Sequence, residues 1–279
     1  MQNNDSSTDS LLDFMRCERL DDNLYRGQSR DLKTGQVYGG QVLGQAIRAA
    51  YNTIDDDRKI HSAHAYFLLK GDVNAPIIYE VDRSSDGGSF SSRRVVAIQH
   101  GRQIFNLSAS FQKPEEGLEY SRQSIPPIET LHASLEETKP RIKSFQAEFL
   151  DVHYLEPDPT SAPNAVQMWI KTKETLPEDP DCHTSVLAYI SDMGLLLSAL
   201  MPHKLDDRNM LTRHENVMLA SIDHAIWFHR SFRADEWFFY DCRARSTGNG
   251  RGFAHGSVYS QDGTLVASTA QEGLLRVRR

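Results

Sequence analysis

The sequence predicts a duplicated α+β fold, each unit a central helix wrapped by an antiparallel sheet. Three observations carry this reading. The order strand, helix, four strands occurs twice along the 279 residues. In each copy the hydrophobic period changes from helical to two-residue spacing after the helix. The glycine turns also repeat: Gly88 and Gly101 lie 13 residues apart, as do Gly250 and Gly263, and the pairs are offset by 162. The competing reading is two unrelated α+β domains, but the same order on both sides of a proline-rich segment favours duplication.

Residues 1–20 read as a polar tail and a short amphipathic helix over Leu11–Leu20. The first unit spans 21–113. It opens with a strand at Leu24–Gly27, and Gly39-Gly40 precedes a helix whose Val42, Leu43, Ala46, Ile47 and Ala50 share one face. Strands follow at His61–Leu69, Pro76–Asp82, Phe90–Gln99 and Gln103–Phe111, with turns at Gly87-Gly88 and Gly101. Seven of the 11 prolines fall between Pro114 and Pro163. Proline breaks ladders and helices, so 114–163 reads as a linker with a short helix around Leu131–Lys139. The second unit, 164–279, repeats the pattern. It has a strand at Ala165–Thr172, a helix at Thr184–Leu200, and strands at Val217–Phe228, Trp237–Ala244, Phe253–Ser260 and Thr264–Leu275.

Composition narrows the function classes. Hydrophobic residues at 39% and charged residues at 25% allow a buried core. A net charge of −7 lacks the cationic footprint of a nucleic-acid binder. The longest apolar run, Gly194–Met201, is far short of the roughly 20 residues of a membrane span. The first residues have no early Lys or Arg, and the last are not a Ser-Lys-Leu address. Cys17, Cys182 and Cys242 form neither a disulfide framework nor a zinc motif. A cytoplasmic protein is expected.

Several segments then stand out: Tyr25-Arg26-Gly27-Gln28, Val37 to Ala46, His61 to Phe67 and Ser89 to Val95 in the first half. In the second half they are Ile222 to Arg230 and Gln261 to Gly273. In order and content these resemble the acyl-CoA thioesterase II family, over about Leu24–Leu275 and least in the linker. The resemblance implies a double hotdog fold, hydrolysis of medium- to long-chain fatty acyl-CoA to acid and CoA, no metal and no cofactor. It also implies a water-activating trio, which falls on Asp192, Ser221 and Gln271. Ser221 stands where some members carry Thr; Ser keeps the hydroxyl but loses the β-methyl that stiffens the rotamer. Exposed hotdog edges often pair, so a homo-oligomer, dimer or tetramer, is expected.

The residues themselves leave two readings of Asp192 open. Its helical neighbours Ala188, Tyr189, Leu195 and Leu196 are largely apolar. In a continuous helix the carboxylate would be buried, at several kcal/mol if unpaired. Alternatively Met193-Gly194 breaks the helix and Asp192 caps the turn. Ser221 and Gln271 would ordinarily be satisfied strand residues; with a carboxylate they can hold a water in line with a thioester carbonyl. Gly39-Gly40-Gln41 opens a helix, so Gly40 and Gln41 are candidates for substrate binding through free N–H groups, or merely for a tight turn.

His64 reads as lining the site or packing, with His61 on the opposite strand face. No Gly-x-Ser-x-Gly elbow or His-Glu-x-x-His string is present. Arg93 and Arg94 alternate faces, so at most one can reach a CoA phosphate. Gly248–Gly252 reads as a turn. The alternatives are a hotdog enoyl-CoA hydratase, which lacks its usual Asp-x-Asn-Pro-x-His string here, and a non-catalytic acyl-CoA-binding module.

Overall fold

The computed structural model describes residues 10–32, 34–121, 129, 131–132, 148–156, 160, 164–203 and 217–277. Helix α1 (Leu11–Met15) precedes strands β1 (Cys17–Asp21) and β2 (Leu24–Gly27) and helix α2 (Gly39–Tyr51). Strands β3 (Lys59–Phe67), β4 (Ile77–Asp86), β5 (Phe90–Gln99) and β6 (Arg102–Gln112) complete the first half. The second half runs β7 (Leu150–Tyr154), β8 (Ala165–Thr172), α3 (Pro180–Ser191) and α4 (Leu195–Leu200). Strands β9 (Val217–Ser221), β10 (Asp223–Phe228), β11 (Phe238–Gly248), β12 (Arg251–Ser260) and β13 (Leu265–Val277) follow.

Among the described residues the strands form one sheet in the order β1-β2-β4-β5-β6-β3-β10-β13-β12-β11-β8-β7, with β9 also on β13. Read outward from the central β3–β10 pair, both sides have the same order. The architecture is the expected double hotdog. Gly88 and Gly250 lie in the β4–β5 and β11–β12 turns, Gly101 and Gly263 in the β5–β6 and β12–β13 turns. The offset of 162 therefore links equivalent turns.

Helices α2 and α3 are buried on nearly every side, because each faces the sheet on one flank and the other helix on the other. Small residues make that crossing possible. A Cβ at Gly40 would overlap the carbonyl oxygen of Tyr189, and one at Gly44 would come within 2.9 Å of the Ser185 carbonyl. Gly40→Ala is therefore expected to destabilise the protein by about 1–3 kcal/mol, since the obstacle is backbone. A denaturant titration with an unchanged slope and a lower midpoint would show it.

Five expectations need correction or restriction. The N-terminal helix stops at Met15, where Arg16 turns extended, and Cys17–Asp21 pairs with β2 instead. Leu20, expected on the helix, is 42% exposed on this edge strand. Strand β7 lies inside the segment read as linker and pairs with β8, its Leu150, Val152 and Tyr154 alternating between the prolines. The helix read over Thr184–Leu200 is two helices, separated where Gly194 adopts φ +82°, a left-handed conformation that favours glycine. The strand read over Val217–Phe228 is broken at Ile222. The helix expected over Leu131–Lys139 lies largely outside the described residues. An 18-residue window of Pro180–Leu200 is apolar enough to span a bilayer, but the stretch is interrupted at Asp192–Gly194 and 78% of that window is buried within the fold.

Candidate active site

Asp192 is the C-cap of α3, with φ −75° and ψ −6°. Both open readings of it contain part of the answer. The helix does break there, and the break turns the carboxylate toward β9 and β13. The amide Nε2 of Gln271 donates to Asp192 Oδ1 at 2.6 Å and to Ser221 Oγ at 2.8 Å. The Ser221 hydroxyl donates to the same Oδ1 at 3.3 Å. A backbone hydrogen bond from Gly40, in the first turn of α2, also reaches the carboxylate. Gly39 lies against Oδ2, where a Cβ would come within 2.7 Å. The acid thus sits between the C-terminus of one helix and the N-terminus of the other.

A register change in the sheet assembles this group. Strand β10 pairs with β13 so that Ala225 faces Ala270, whereas β9 pairs so that Ser221 faces Gly273. The two registers differ by one residue, which makes Ile222 a bulge. Its N–H still bonds the Glu272 carbonyl at 3.0 Å, its carbonyl accepts from Phe67 at 2.9 Å, and the Asp223 side chain takes the Glu272 N–H at 2.6 Å. Without the extra residue, Ser221 and His224 would face opposite sides of the sheet. With it, both face inward, toward Gln271.

Electrostatics follow from the packing. Burial raises the Asp192 carboxyl to about 6, against the opposing hydrogen bonds from Gln271, Ser221 and Gly40. Burial also lifts the Tyr38 and Tyr240 hydroxyls, and the Asp192 charge adds to the rise. Those hydroxyls donate to the last carbonyls of α3: Tyr38 to Tyr189 at 3.0 Å and Tyr240 to Ser191 at 2.7 Å. They satisfy helix-end acceptors beside the acid and fix where the cap residue points.

The other expected site residues divide. Gly40 lies beside the acid, and the Gln41 N–H bonds the Tyr38 carbonyl at 3.1 Å, so Gln41 does not offer a free oxyanion donor. The fully buried Gln41 side chain donates to the Gln28 carbonyl at 2.7 Å. His64 does not join the group: it lies exposed on the outer face of β3, edge-on to Trp227. A second irregularity corrects the expectation for His61. The register shifts between Ile60 and Ser62, and His61 bonds Ser110 and meets Phe90 on the same outer face as His64. Arg93 is buried against Thr53 and Asp86, so it is not placed to take a phosphate. Asn249 and Gly250, with φ of 51° and 72°, form the β11–β12 turn. Among the described residues no cluster of His, Cys, Asp or Glu is arranged to hold a metal ion.

His224 and Ser191 are the polar residues of this region that sequence reasoning left without a role. His224 is 1% exposed, and its Nε2 lies 2.9 Å from the buried Ser191 hydroxyl. Strand alternation from Ser221 points His224 the wrong way, so only knowledge of the bulge could have found it.

Residues 158–274 match the family model described as acyl-CoA thioesterase, and residues 29–112 match the acyl-CoA thioesterase N-terminal domain. Acyl-CoA thioesterase 2 of Haemophilus influenzae is 37% identical over 96% of this chain and 97% of its own. Human acyl-coenzyme A thioesterase 8 is 34% identical over 95% of this chain and 88% of its own. Among solved structures, acyl-CoA thioesterase II TesB2 from Mycobacterium marinum superposes with a TM-score of 0.80 at 38% identity, covering 96% of this chain and 98% of that one.

Proposed function

The chain belongs to the acyl-CoA thioesterase II family and hydrolyses acyl-CoA thioesters, and we propose that Asp192, Ser221 and Gln271 activate the attacking water. The observation that carries this is the convergence of the Ser221 and Gln271 donors on one oxygen of a half-buried carboxylate. Both side-chain donors engage Oδ1, so Oδ2, beside Gly39 and Gly40, keeps a lone pair to accept a proton from water. As the water loses that proton it attacks the thioester carbonyl. The tetrahedral intermediate then collapses, the C–S bond breaks, and the proton passes from Asp192 to the CoA sulfur. The products are the carboxylic acid and free CoA. A base of this kind contributes about 10²–10⁴-fold.

The preferred acyl group is of medium to long chain. Half-buried Phe67 lies against Gly39, and Leu196 lies over Gly273, so apolar side chains flank the acid on two sides. The domain limits proposed for the two units are 21–113 and 164–279. A cytoplasmic setting fits the three free thiols. A homo-oligomer fits the exposed Tyr66 and Phe90 on the outer face, and light scattering would test it.

The test is a chain-length scan of CoA release with a free-thiol reagent. Release should be greatest for medium and long chains. Saturable acyl-CoA binding with no thiol release at any length would instead identify a binding module. The pH profile gives a second check. Only ionised Asp192 accepts the proton, so kcat/KM is expected to fall about tenfold per unit below a pH of about 6. A profile that stays flat down to pH 4 would exclude Asp192 as the base.

A further inference from the structure

We propose that His224 is a positioning residue, whose Nδ1–H holds the Gln271 amide so that both amide hydrogens point at Asp192 and Ser221. The inference rests on the role assigned to Gln271 above and extends the site by one layer. Gln271 has two amide hydrogens, and both have acceptors: Asp192 Oδ1 at 2.6 Å and Ser221 Oγ at 2.8 Å. Its carbonyl Oε1 is buried with no partner within strict hydrogen-bond geometry, and so is His224 Nδ1. Continuing the β10–β13 register by one residue places His224 directly opposite Gln271, and both side chains face inward. Opposite residues on paired strands have Cβ atoms about 5 Å apart, so the two unmatched atoms are within reach of each other. The nearby Gln271 side chain opposes the effect of burial on the imidazole, as an acceptor for Nδ1–H would.

Proton counting selects the tautomer. An amide carbonyl can only accept, so His224 must carry its hydrogen on Nδ1. Nε2 then accepts from the Ser191 hydroxyl at 2.9 Å. That hydroxyl has one hydrogen, which also reaches the Ala188 carbonyl at 2.8 Å; in this tautomer it turns from Ala188 to Nε2. The result is a closed ring of polar groups, from Ser191 through His224 and Gln271 to the half-buried Asp192, the next residue after Ser191. Rotating the Gln271 amide by half a turn would set its carbonyl against the Asp192 carboxylate and its NH₂ against the Nδ1–H. His224 makes that flipped state unfavourable. Burial lowers the imidazole to about 4, so it is neutral where Asp192 is ionised and adds no charge to the site.

Thiol release and melting temperature are measured for His224→Gln, His224→Asn, Gln271→Ala and the double variant His224→Gln/Gln271→Ala. Asparagine can place an amide N–H near the position of Nδ1–H, whereas glutamine places its amide near Nε2. His224→Gln is expected to lose about 10–100-fold in kcat with little change in KM, and its acid limb should move above that of the wild type. His224→Asn should stay within about tenfold of wild type, and in the Gln271→Ala background His224→Gln should add little further loss. Wild-type kcat in His224→Gln, equal losses in the Asn and Gln variants, or multiplying losses in the double variant would each overturn the inference. If Gln271→Ala alone keeps full turnover, the reading beneath it fails instead. Nitrogen-15 spectra of the histidine-labelled wild type need no variant to fold. They should show Nδ1 protonated and Nε2 bare in His224, and the reverse tautomer would overturn the inference.

Discussion

Asp192→Asn is expected to lower kcat by about 10²–10⁴-fold without lowering stability at pH 8. The loss follows because an amide cannot take the proton that a water must give up. The stability half of the expectation comes from linkage. Burial raises the Asp192 carboxyl from 3.8 to about 6, so the folded protein holds that proton more tightly than the unfolded chain. The group's contribution is therefore fully present below a pH of about 4 and is lost as pH rises through about 6. At pH 8 the ionised carboxylate costs on the order of 1–3 kcal/mol. Asparagine removes that charge and keeps an acceptor for Gln271 and Ser221, although its NH₂ must then face the Gly40 N–H. The measurement is CoA release alongside thermal unfolding at pH 8. A slow enzyme with an equal or higher melting temperature supports the base assignment. Near-wild-type turnover removes Asp192 from the mechanism, and a slow but destabilised variant assigns it a structural role.

Much of this arrangement was legible in the sequence, and the parts that were not have two physical causes. Helix α2 announced itself through Val42, Leu43, Ala46 and Ile47, apolar residues that recur at helical spacing and are all buried. The inner strands β5 and β8 were legible to the residue, because each lies between two partners and has more to bury than an end strand. The strands that escaped, β1 and β7, occupy equivalent places at the two ends of the sheet. An end strand has one partner and little to bury, so Cys17–Asp21 and Leu150–Tyr154 carry weak apolar signals. Local sequence cannot show that a distant strand will recruit them.

The site was hidden in a different way. Family likeness alone linked Asp192, Ser221 and Gln271, which lie on a helix end and two strands. Periodicity could not, because their meeting depends on two departures from periodicity. One is the helix break at Asp192–Gly194, where Asp192 caps α3 facing the sheet and left-handed Gly194 opens α4. The other is the bulge at Ile222, which brings Ser221 and His224 to the same face. Bulges and helix breaks interrupt the regular repeats on which pattern reading depends, and they commonly lie next to active sites. The same effect at His61 accounts for the misplaced face of that residue.

Gln271→Ala should be the next most damaging change after Asp192→Asn, at about 10²–10³-fold in kcat, and more damaging than Ser221→Ala. The ranking follows from counting hydrogens. Gln271 supplies two donors, one to the acid at 2.6 Å and one to the serine at 2.8 Å, whereas Ser221 supplies one at the longer 3.3 Å. Removing Ser221 leaves the shorter contact to Asp192 in place. Removing Gln271 takes that contact away and also frees the serine hydroxyl to rotate. Both donors hold the carboxyl below the value burial alone would give it, and Gln271 is the larger of the two influences. The acid limb of kcat/KM should therefore move above about 6 in both variants, and further in Gln271→Ala. Losses in a double variant should fall short of the product of the single ones, since the three side chains act as a unit. A Ser221→Ala enzyme slower than Gln271→Ala, or an acid limb that moves in neither, would mean that the amide does not organise the acid.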